Sequence, residues 1–315
     1  MKKFLFFVFS VLFGLQVVAQ QSVSLKLNLE KNRTYRLRSV THQTVTQTVS
    51  GNQQTVESDV LYTFSLKMLD VTPEFIVTEI HFDTITTKTN TMGKIENISS
   101  TRECNIKSSE AGEIMSCVMN KLSRNAIFAK LDYTGQPIEI LNASLISGMI
   151  LQDTSSITLT GPVASALKSQ IVQTVSENSL KTMIKGFTYY LPGNKVNIGD
   201  KWKIFDQVNS GGMLLTITSE CQLKEVKGSN ASITIESNIK PPENAPPIQS
   251  GGATVSYNTL TGITRSNMIV DINTGLVVEN KSKTRISGNL SISAPGFSME
   301  MPMDINGETL VTAVN

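Results

Sequence analysis

The sequence predicts an α+β fold that is predominantly antiparallel β. We expect a large curved sheet, several such sheets or a half-barrel, packed on central helices and built from two related halves. Three observations predict it. Apolar and polar residues alternate near both ends of the chain, helical spacing replaces this alternation in the middle, and each half contains an Asp followed closely by Thr-Gly.

Strand-like alternation is clearest from Leu276 to Ile292. Odd positions hold Glu279, Lys281, Lys283 and Arg285, whereas even positions are mostly apolar or small. A long antiparallel strand with one face toward solvent has this pattern. We therefore expect nearly all the charge of this segment to lie on one face of a sheet.

The N-terminal region alternates in the same way. Leu25, Leu27 and Leu29 are separated by polar residues, and a hairpin is predicted over 60–82, with its turn in the segment 70–74. A second hairpin is predicted over 214–237. Trp202 is expected to anchor the start of a strand.

Apolar residues recur at helical spacing between these β-rich regions, and their stripes are expected to cover a sheet. Four helices are predicted: one with Ala111, Ile114, Met115, Val118 and Leu122; one after the N-cap Asn142 with Leu145, Ile146 and Met149; one starting at Pro162 with Val163, Leu167, Ile171 and Val175; and one after Asn178 with Leu180, Met183 and Ile184, ending at Gly186.

The two Asp-to-Thr-Gly stretches are interpreted as turns. Aspartic proteases have a contiguous Asp-Thr/Ser-Gly, but Tyr133 separates Asp132 from Thr134, and two residues separate Asp271 from Thr274. In a tight turn the Asp accepts backbone N–H groups and the Gly supplies a positive φ. The stretches thus indicate related halves. The Pro- and Gly-rich segment 241–252 is a loop, either a lid over a cavity or a long hairpin connection.

The first nineteen residues have the features of a secretory signal peptide, with Lys2 and Lys3 before an apolar run and Val17 to Ala19 at the cleavage site. We therefore expect a signal peptide (1–19), an N-terminal β-rich half (20–160) with a helix near 110–125, a central helical segment (161–186) and a C-terminal β-rich half (187–315). The mature protein is expected in the periplasm or outside the cell. It is not expected to be a lipoprotein, since no Cys follows the cleavage site, or to keep a transmembrane segment.

Charge argues against nucleic-acid binding. The whole chain has 28 basic and 26 acidic residues, and loss of Lys2 and Lys3 makes the two numbers equal. A balanced chain without a basic run lacks the charge that binds a phosphate backbone. No cofactor is expected either, because no glycine-rich phosphate loop occurs.

Three cysteines, Cys104, Cys117 and Cys221, are an odd number for an oxidising compartment. Cys104 and Cys117 are close enough in sequence to form a disulfide, although geometry decides this. All three could instead be small buried apolar residues.

Catalytic chemistry has one candidate cluster. Glu79, His81 and Asp83 alternate on one face of a predicted strand and could hold a divalent cation or exchange protons. A polar patch on a solvent-facing strand explains them equally. No nucleophile elbow or papain-like Cys context occurs.

A ligand, if the protein binds one, is expected to be apolar or amphipathic, between Tyr62, Phe64 and Leu66 of a strand and Leu167, Ile171 and Val175 of a helix. On the apolar faces of two long strands the middle positions are small or polar. They are Asn280, Ser282 and Thr284 in one strand and Ser39, Thr41 and Gln43 in the other. These positions either line a semi-polar cavity or extend beyond the helices into solvent.

The order of these elements, with LPGNKVNIGDKW (191–202) and DINTG (271–275), resembles exported Gram-negative proteins of the domain of unknown function 6263 type. The resemblance implies secretion or an envelope location and carries over no catalytic residue. More distantly, the architecture is similar to the lipoprotein-carrier half-barrels of the periplasm.

The leading hypothesis is a non-enzymatic exported envelope protein that binds a lipid, another apolar small molecule or an envelope protein. Two alternatives remain open. The first is a hydrolase or metal-dependent enzyme that uses Glu79, His81 and Asp83, together with Asp132 or Asp271. The second is a surface scaffold that binds another protein through exposed strand edges.

Overall fold

The computed structural model describes residues 22–49, 51–210, 212–250 and 252–314, so the predicted signal peptide lies outside the described residues. The helices are α1 (Ala111–Arg124), α2 (Ala143–Gln152), α3 (Gly161–Thr174) and α4 (Glu177–Thr188). The strands are β1 (Ser22–Ser24), β2 (Thr34–Val49), β3 (Asn52–Val71), β4 (Ile76–Thr91), β5 (Lys94–Ser99), β6 (Ile127–Leu131), β7 (Pro137–Ile140), β8 (Lys195–Asn197), β9 (Lys201–Ser210), β10 (Met213–Lys227), β11 (Asn230–Lys240), β12 (Ile248–Ser250), β13 (Ala253–Ser256), β14 (Thr261–Asp271), β15 (Val277–Ala294) and β16 (Phe297–Val314).

One large, open, antiparallel sheet contains fourteen of the described strands, and this confirms the predicted β-rich α+β fold. Its order is β7-β6-β4-β3-β2-β16-β15-β14-β11-β10-β9, with β5 beside β4 and the β12–β13 hairpin beside β15. β1 and β8 form a separate pair. Within the described residues, no helix is both long and apolar enough to cross a membrane.

The strand order repeats within the sheet. In the N-terminal half the strands lie side by side as β2-β3-β4-β6-β7, and in the C-terminal half as β9-β10-β11-β14-β15. In each half an Asp-to-Thr-Gly turn joins the fourth strand to the fifth. β16 lies between β2 and β15 and joins the halves. The topology therefore supports two related halves within one sheet.

The helices cover one face of the sheet, which we call the inner face, and the main apolar core lies there. Phe64 of β3 and Phe187 of α4 stack with ring centroids 4.6 Å apart, and Phe82 of β4 contacts Phe64 edge-on at 5.6 Å. All three side chains are buried. The alternate residues of each strand point to the opposite, outer face.

The N-terminal Leu25, Leu27 and Leu29 are buried, but only residues 22–24 of this region form a strand. The amides of Leu25 and Leu27 donate to the carbonyl oxygens of Asn194 and Tyr133, at 3.1 and 2.9 Å. The strand prediction for residues 25–29 was therefore wrong. The alternation arises because loops of the protein surround an extended segment.

All four predicted helices form, but two termini differ from the prediction. Helix α4 begins at Glu177, because Ser176 is its N-cap and accepts a bond from the Ser179 amide, and it continues through Gly186 to Thr188. Asn142 precedes α2, but its side chain does not cap the helix. It accepts the amide of Phe128 at 2.9 Å and so fixes α2 to β6.

Two of the predicted core stripes are only partly buried. In α2, Ile146 is buried, whereas Leu145 is 71% and Met149 36% exposed. In α3, Val163 is 60% exposed while the rest of its stripe is buried. Both helices contact α1 and each other, so one side of each apolar stripe is buried among helices and the other side stays exposed.

The loop residues 241–250 and 252–260 fold over the upper part of the inner face. They contain the β12–β13 hairpin, and β13 pairs with β15 beyond the end of β14. Tyr257 is fully buried; its hydroxyl accepts the Leu214 amide at 3.0 Å and donates to Pro246 O at 3.1 Å. The segment is thus both a hairpin connection and a cover.

Candidate functional site

The two Asp-to-Thr-Gly stretches are structural turns. Asp132 Oδ1 accepts the Thr134 amide and hydroxyl at 2.8 and 2.5 Å, together with the Gln136 amide at 2.9 Å. Asp271 accepts the Asn273 amide at 3.2 Å and the Thr274 hydroxyl at 3.0 Å. Each carboxylate is used within its own turn, as the spacing in the sequence predicts.

Glu79, His81 and Asp83 lie on the outer face but do not converge. His81 Nε2 is 3.0 Å from Glu79 Oε1, and this hydrogen bond, with the charge of Lys67, lowers the pKa of Glu79. Asp83 instead accepts the Ser65 hydroxyl at 2.9 and 2.8 Å. Ser65 therefore bonds to the carboxylate rather than to the imidazole, unlike the nucleophile–base contact of a hydrolase.

The described part of the chain contains neither a cluster of metal-binding side chains nor a reactive thiol. Across those residues, no group of three or more His, Cys, Asp or Glu is placed to hold a metal ion. Cys104 and Cys117 form a disulfide with Cα atoms 4.4 Å apart. Burial, with a smaller effect of the Glu220 charge, raises the pKa of Cys221 to about 12, so this thiol is neutral and unreactive.

The predicted ligand-contacting residues lie in the core. Phe64, Leu66, Leu167, Ile171 and Val175 are each at most 3% exposed and belong to one apolar cluster. Tyr62 is half-buried at its edge, 6.2 Å from the Phe82 ring, and burial raises its pKa. A ligand between these strand and helix residues would have to separate packed side chains.

The part of the inner face beyond the helices carries a row of small polar residues. Eight of them, one per strand and each the direct cross-strand partner of the next, cross the sheet from β4 to β10: Thr89, Ser58, Gln43, Gly307, Thr284, Thr264, Ser237 and Ser219. At about 4.8 Å per strand the row is about 34 Å long.

A second row lies next to it, toward the helices, and contains Thr41, Thr309, Ser282 and Ser266. We call the two rows together the polar band. Four hydroxyl pairs bridge strands within it: Ser58 with Thr89 at 3.3 Å, Thr41 with Thr309 at 2.9 Å, Thr264 with Thr284 at 2.8 Å and Ser219 with Ser237 at 2.7 Å. None of the residues in the band is charged.

Apolar surfaces border the polar band on both sides. On the helix side it meets the main core. On the other side lies an upper cluster around Tyr257, Leu260 and Met303, to which Val45, Ile286 and Ile305 also belong. Along β2 the inner face thus changes from Leu37 in the core, through the polar band, to Val45.

The band combines buried and partly exposed positions. Ser219, Ser237 and Ser266 are at most 9% exposed, whereas Thr264 and Thr284 keep intermediate exposure. At its helix side, Asn280 Oδ1 is buried without a hydrogen-bond partner. A buried acceptor of this kind is unfavourable unless a donor reaches it.

The sequence contains part of this site in a recognisable form. Small polar residues on apolar faces predict Ser282, Thr284, Thr41 and Gln43 as special positions. The other members were missed, because only the strand register aligns Ser58, Ser237 and Thr264 with them. No periodic pattern within one strand could show that alignment.

The described residues define a β-rich protein built on one large open antiparallel sheet with helices on one face. The family described as "Family of unknown function (DUF6263)" matches residues 74–277, and the chain belongs to this family. No curated protein matches the chain.

Solved structures give weak likenesses. Lipovitellin, in a structure titled for lipid–protein interactions, is 7% identical with a TM-score of 0.43; the match covers 91% of this chain and 26% of that one. OccK11 (OpdR) of Pseudomonas aeruginosa is 7% identical with a TM-score of 0.21, and the match covers 91% of this chain and 99% of that one. A DUF1329 family protein of Desulfovibrio piger is 8% identical with a TM-score of 0.14, and the match covers 88% of this chain and 84% of that one. All three TM-scores are below 0.5, so these likenesses support neither a shared fold nor a shared ligand.

Proposed function

We propose that the protein is a non-catalytic binding module of the cell envelope, exported to the periplasm or beyond, and that the polar band is its ligand site. The features of residues 1–19 and the Cys104–Cys117 disulfide support export. The observation that carries the binding function is the polar band between two apolar clusters.

The ligand is an uncharged amphipathic molecule. Its hydroxyl, ester or amide groups bond to the Ser and Thr hydroxyls, which act as both donors and acceptors. Its apolar part packs against the upper cluster, where Ile286 and Ile305 are only partly buried. A ligand N–H or O–H also supplies the donor that Asn280 Oδ1 lacks. A charged head group is disfavoured, because the band contains no opposite charge to compensate its desolvation.

A matched pair of double variants tests this site. Thr264→Val with Thr284→Val removes both members of one hydroxyl pair, which leaves no unpaired partner and should change stability little. Thr46→Val with Thr55→Val makes the same change in a cross-strand pair on the outer face. Binding of a fluorescent monoacylglycerol should weaken about tenfold in the first variant, which loses two hydrogen bonds, and stay unchanged in the second.

Native mass spectrometry of the wild-type protein purified from its own envelope provides the independent measurement. We expect a co-purifying neutral amphiphile that the Thr264→Val, Thr284→Val protein retains poorly. Absence of any co-purifying molecule, together with equal monoacylglycerol binding by both variants, would reject the site.

A further inference from the structure

A second concave surface lies on the outer face, on the side of the sheet away from the helices. It is a groove of about 1520 Å³ that crosses β2, β16, β15, β14 and β11. Its lining includes the outward-facing residues His42, Glu308, Lys283, Arg265 and Asn238, one from each strand. Four residues of the polar band, Ser282, Thr284, Gly307 and Thr309, also border the groove, although alternation along the strands points their side chains to the inner face.

The groove concentrates positive charge. Lys240, Arg265, Lys281, Lys283 and Arg285 line it, against one lining carboxylate, Glu308. Two further carboxylates beside the groove, Glu236 and Glu279, pair with Arg265 and Lys281, so five cations face three carboxylates. The whole chain is almost neutral, with 28 basic and 26 acidic residues. This local excess is therefore a property of the groove and not of the overall composition, and it favours an anionic partner.

The cations are regularly spaced. Lys281, Lys283 and Arg285 alternate along β15, so neighbouring charges start about 6.8 Å apart, and Arg265 is the cross-strand partner of Lys283. An extended peptide presents the side chains of every second residue on one face at the same spacing. Carboxylates at alternate positions of such a peptide would match the cations one to one.

The existing ion pairs can be exchanged for a partner. Lys283 is 2.7 Å from Glu308, Lys281 is 2.7 Å from Glu279, and the cationic side chains are 79% and 64% exposed. Exposed pairs of this kind contribute little to stability. Among the described residues, Arg285 and Lys240 have no carboxylate within salt-bridge distance.

Apolar side chains lie between the charges. Ile263 and Leu310 are each 39% exposed in the groove, and Val40 lies beside Leu310 in the register. A partner with small apolar or Thr side chains between its acidic residues would cover them. A purely ionic polymer would leave these surfaces in water.

We propose that this groove binds an extended segment of a partner protein that carries acidic residues at alternate positions. The segment lies along β15, with its carboxylates on Lys281, Lys283 and Arg285. The site lies on the opposite face of the sheet from the proposed ligand site.

Two peptides of identical composition test the proposal by fluorescence anisotropy at low salt. One alternates Asp and Thr over twelve residues, and the other has all its Asp in one block. The alternating peptide should bind at least about tenfold more tightly than the block peptide, and about 0.5 M salt should abolish the difference. Heparin serves as the polysaccharide comparison.

The matched variants are Lys281→Ser, Lys283→Ser, Arg285→Ser in the groove and Lys203→Ser, Lys224→Ser, Lys227→Ser outside it, which remove the same charge. Circular dichroism checks that both are folded. The groove variant should bind the alternating peptide about tenfold more weakly and the control should bind like the wild type. Equal binding of the two peptides, tighter binding of heparin through the same cations, or equal loss in both variants would overturn the proposal.

Discussion

Leu27 donates its backbone N–H to the carbonyl oxygen of Tyr133, 2.9 Å away. The next residue, Asn28, donates in the same way to Thr274, also at 2.9 Å. These acceptors belong to the two Asp-to-Thr-Gly turns, one in each half of the chain. One short segment is therefore held by both turns, and the turns fix the halves relative to each other.

The turn glycines should be irreplaceable. Gly135 and Gly275 have φ values of +90° and +75°, and an added Cβ would lie 1.9 Å from Thr188 O and 2.3 Å from Lys26 O. We expect Gly135→Ala and Gly275→Ala each to lower the free energy of unfolding by more than about 3 kcal/mol, measured by urea denaturation. Gly186→Ala in α4 is the control. It meets no atom within 4 Å and should stabilise the helix slightly.

The ion pair of Lys185 with Asp206 should fix α4 to the edge strand β9. The side chains are only 15% and 19% exposed. Lys185→Met leaves a largely buried carboxylate and should cost about 3 kcal/mol, while the double variant Lys185→Met, Asp206→Leu should recover most of that loss. Lys201→Met breaks an exposed pair on the same strand and should have little effect. Equal losses in Lys185→Met and Lys201→Met would contradict this role.

The cover over the upper inner face should depend on one hydroxyl. Tyr257→Phe leaves the Leu214 amide and the Pro246 carbonyl without their partner, at a cost of about 1–3 kcal/mol. Hydrogen exchange should accelerate at Leu214 and along 245–257. Tyr62→Phe is the comparison, since burial raises the pKa of Tyr62 but its hydroxyl makes no hydrogen bond to any described residue. If hydrogen exchange at Leu214 is unchanged in Tyr257→Phe, the Tyr257 hydroxyl does not hold this loop region in place.

Stability should fall at alkaline pH because of Cys221. Its thiol has a pKa of about 12 in the folded protein, against 9.0 ordinarily, so the unfolded chain releases its proton first. The contribution is complete below pH 9 and is lost between pH 9 and 12, on the order of 4 kcal/mol in total. In Cys221→Ala, the free energy of unfolding measured by urea denaturation should depend less on pH between pH 9 and 11 than in the wild type. The slope that remains is expected from Tyr190, whose pKa burial also raises.

The disulfide between Cys104 and Cys117 should stabilise the approach to α1. It closes a short loop, with a sequence separation of 13, so its loss should cost about 3 kcal/mol. Urea denaturation measures this stabilisation when the wild type, with and without reductant, is compared with the double variant Cys104→Ala, Cys117→Ala. The double variant should be insensitive to reductant. A wild type equally stable in both conditions would show that the bond contributes nothing.

Local patterns predicted the elements well, because alternation and helical spacing depend on neighbours in the chain. The charged face of β15, the hairpins and the turn chemistry of Asp132 and Asp271 all follow from residues within a few positions. The extended segment around Leu27 has a strand-like pattern for a different reason, since loops rather than strands satisfy its amides.

Long-range relationships were not predictable in this way. The polar band exists only because the register brings Ser58, Gln43 and Thr284 into one row, and pairing across the sheet is set by the whole fold. Leu145 illustrates the opposite error. Its spacing fits a core stripe, but Leu145 is 71% exposed whereas the neighbouring Ile146 is buried, so only part of the stripe reaches the core.

The position of β16 has a consequence for biogenesis. It follows every other described strand in the chain, yet it pairs with both β2 and β15 in the middle of the sheet. During synthesis or translocation, the facing edges of these long strands stay open until residues 297–314 emerge. Exposed strand edges promote association between chains. A chaperone would therefore be needed most at the end of synthesis, when one missing strand separates two halves from a finished sheet.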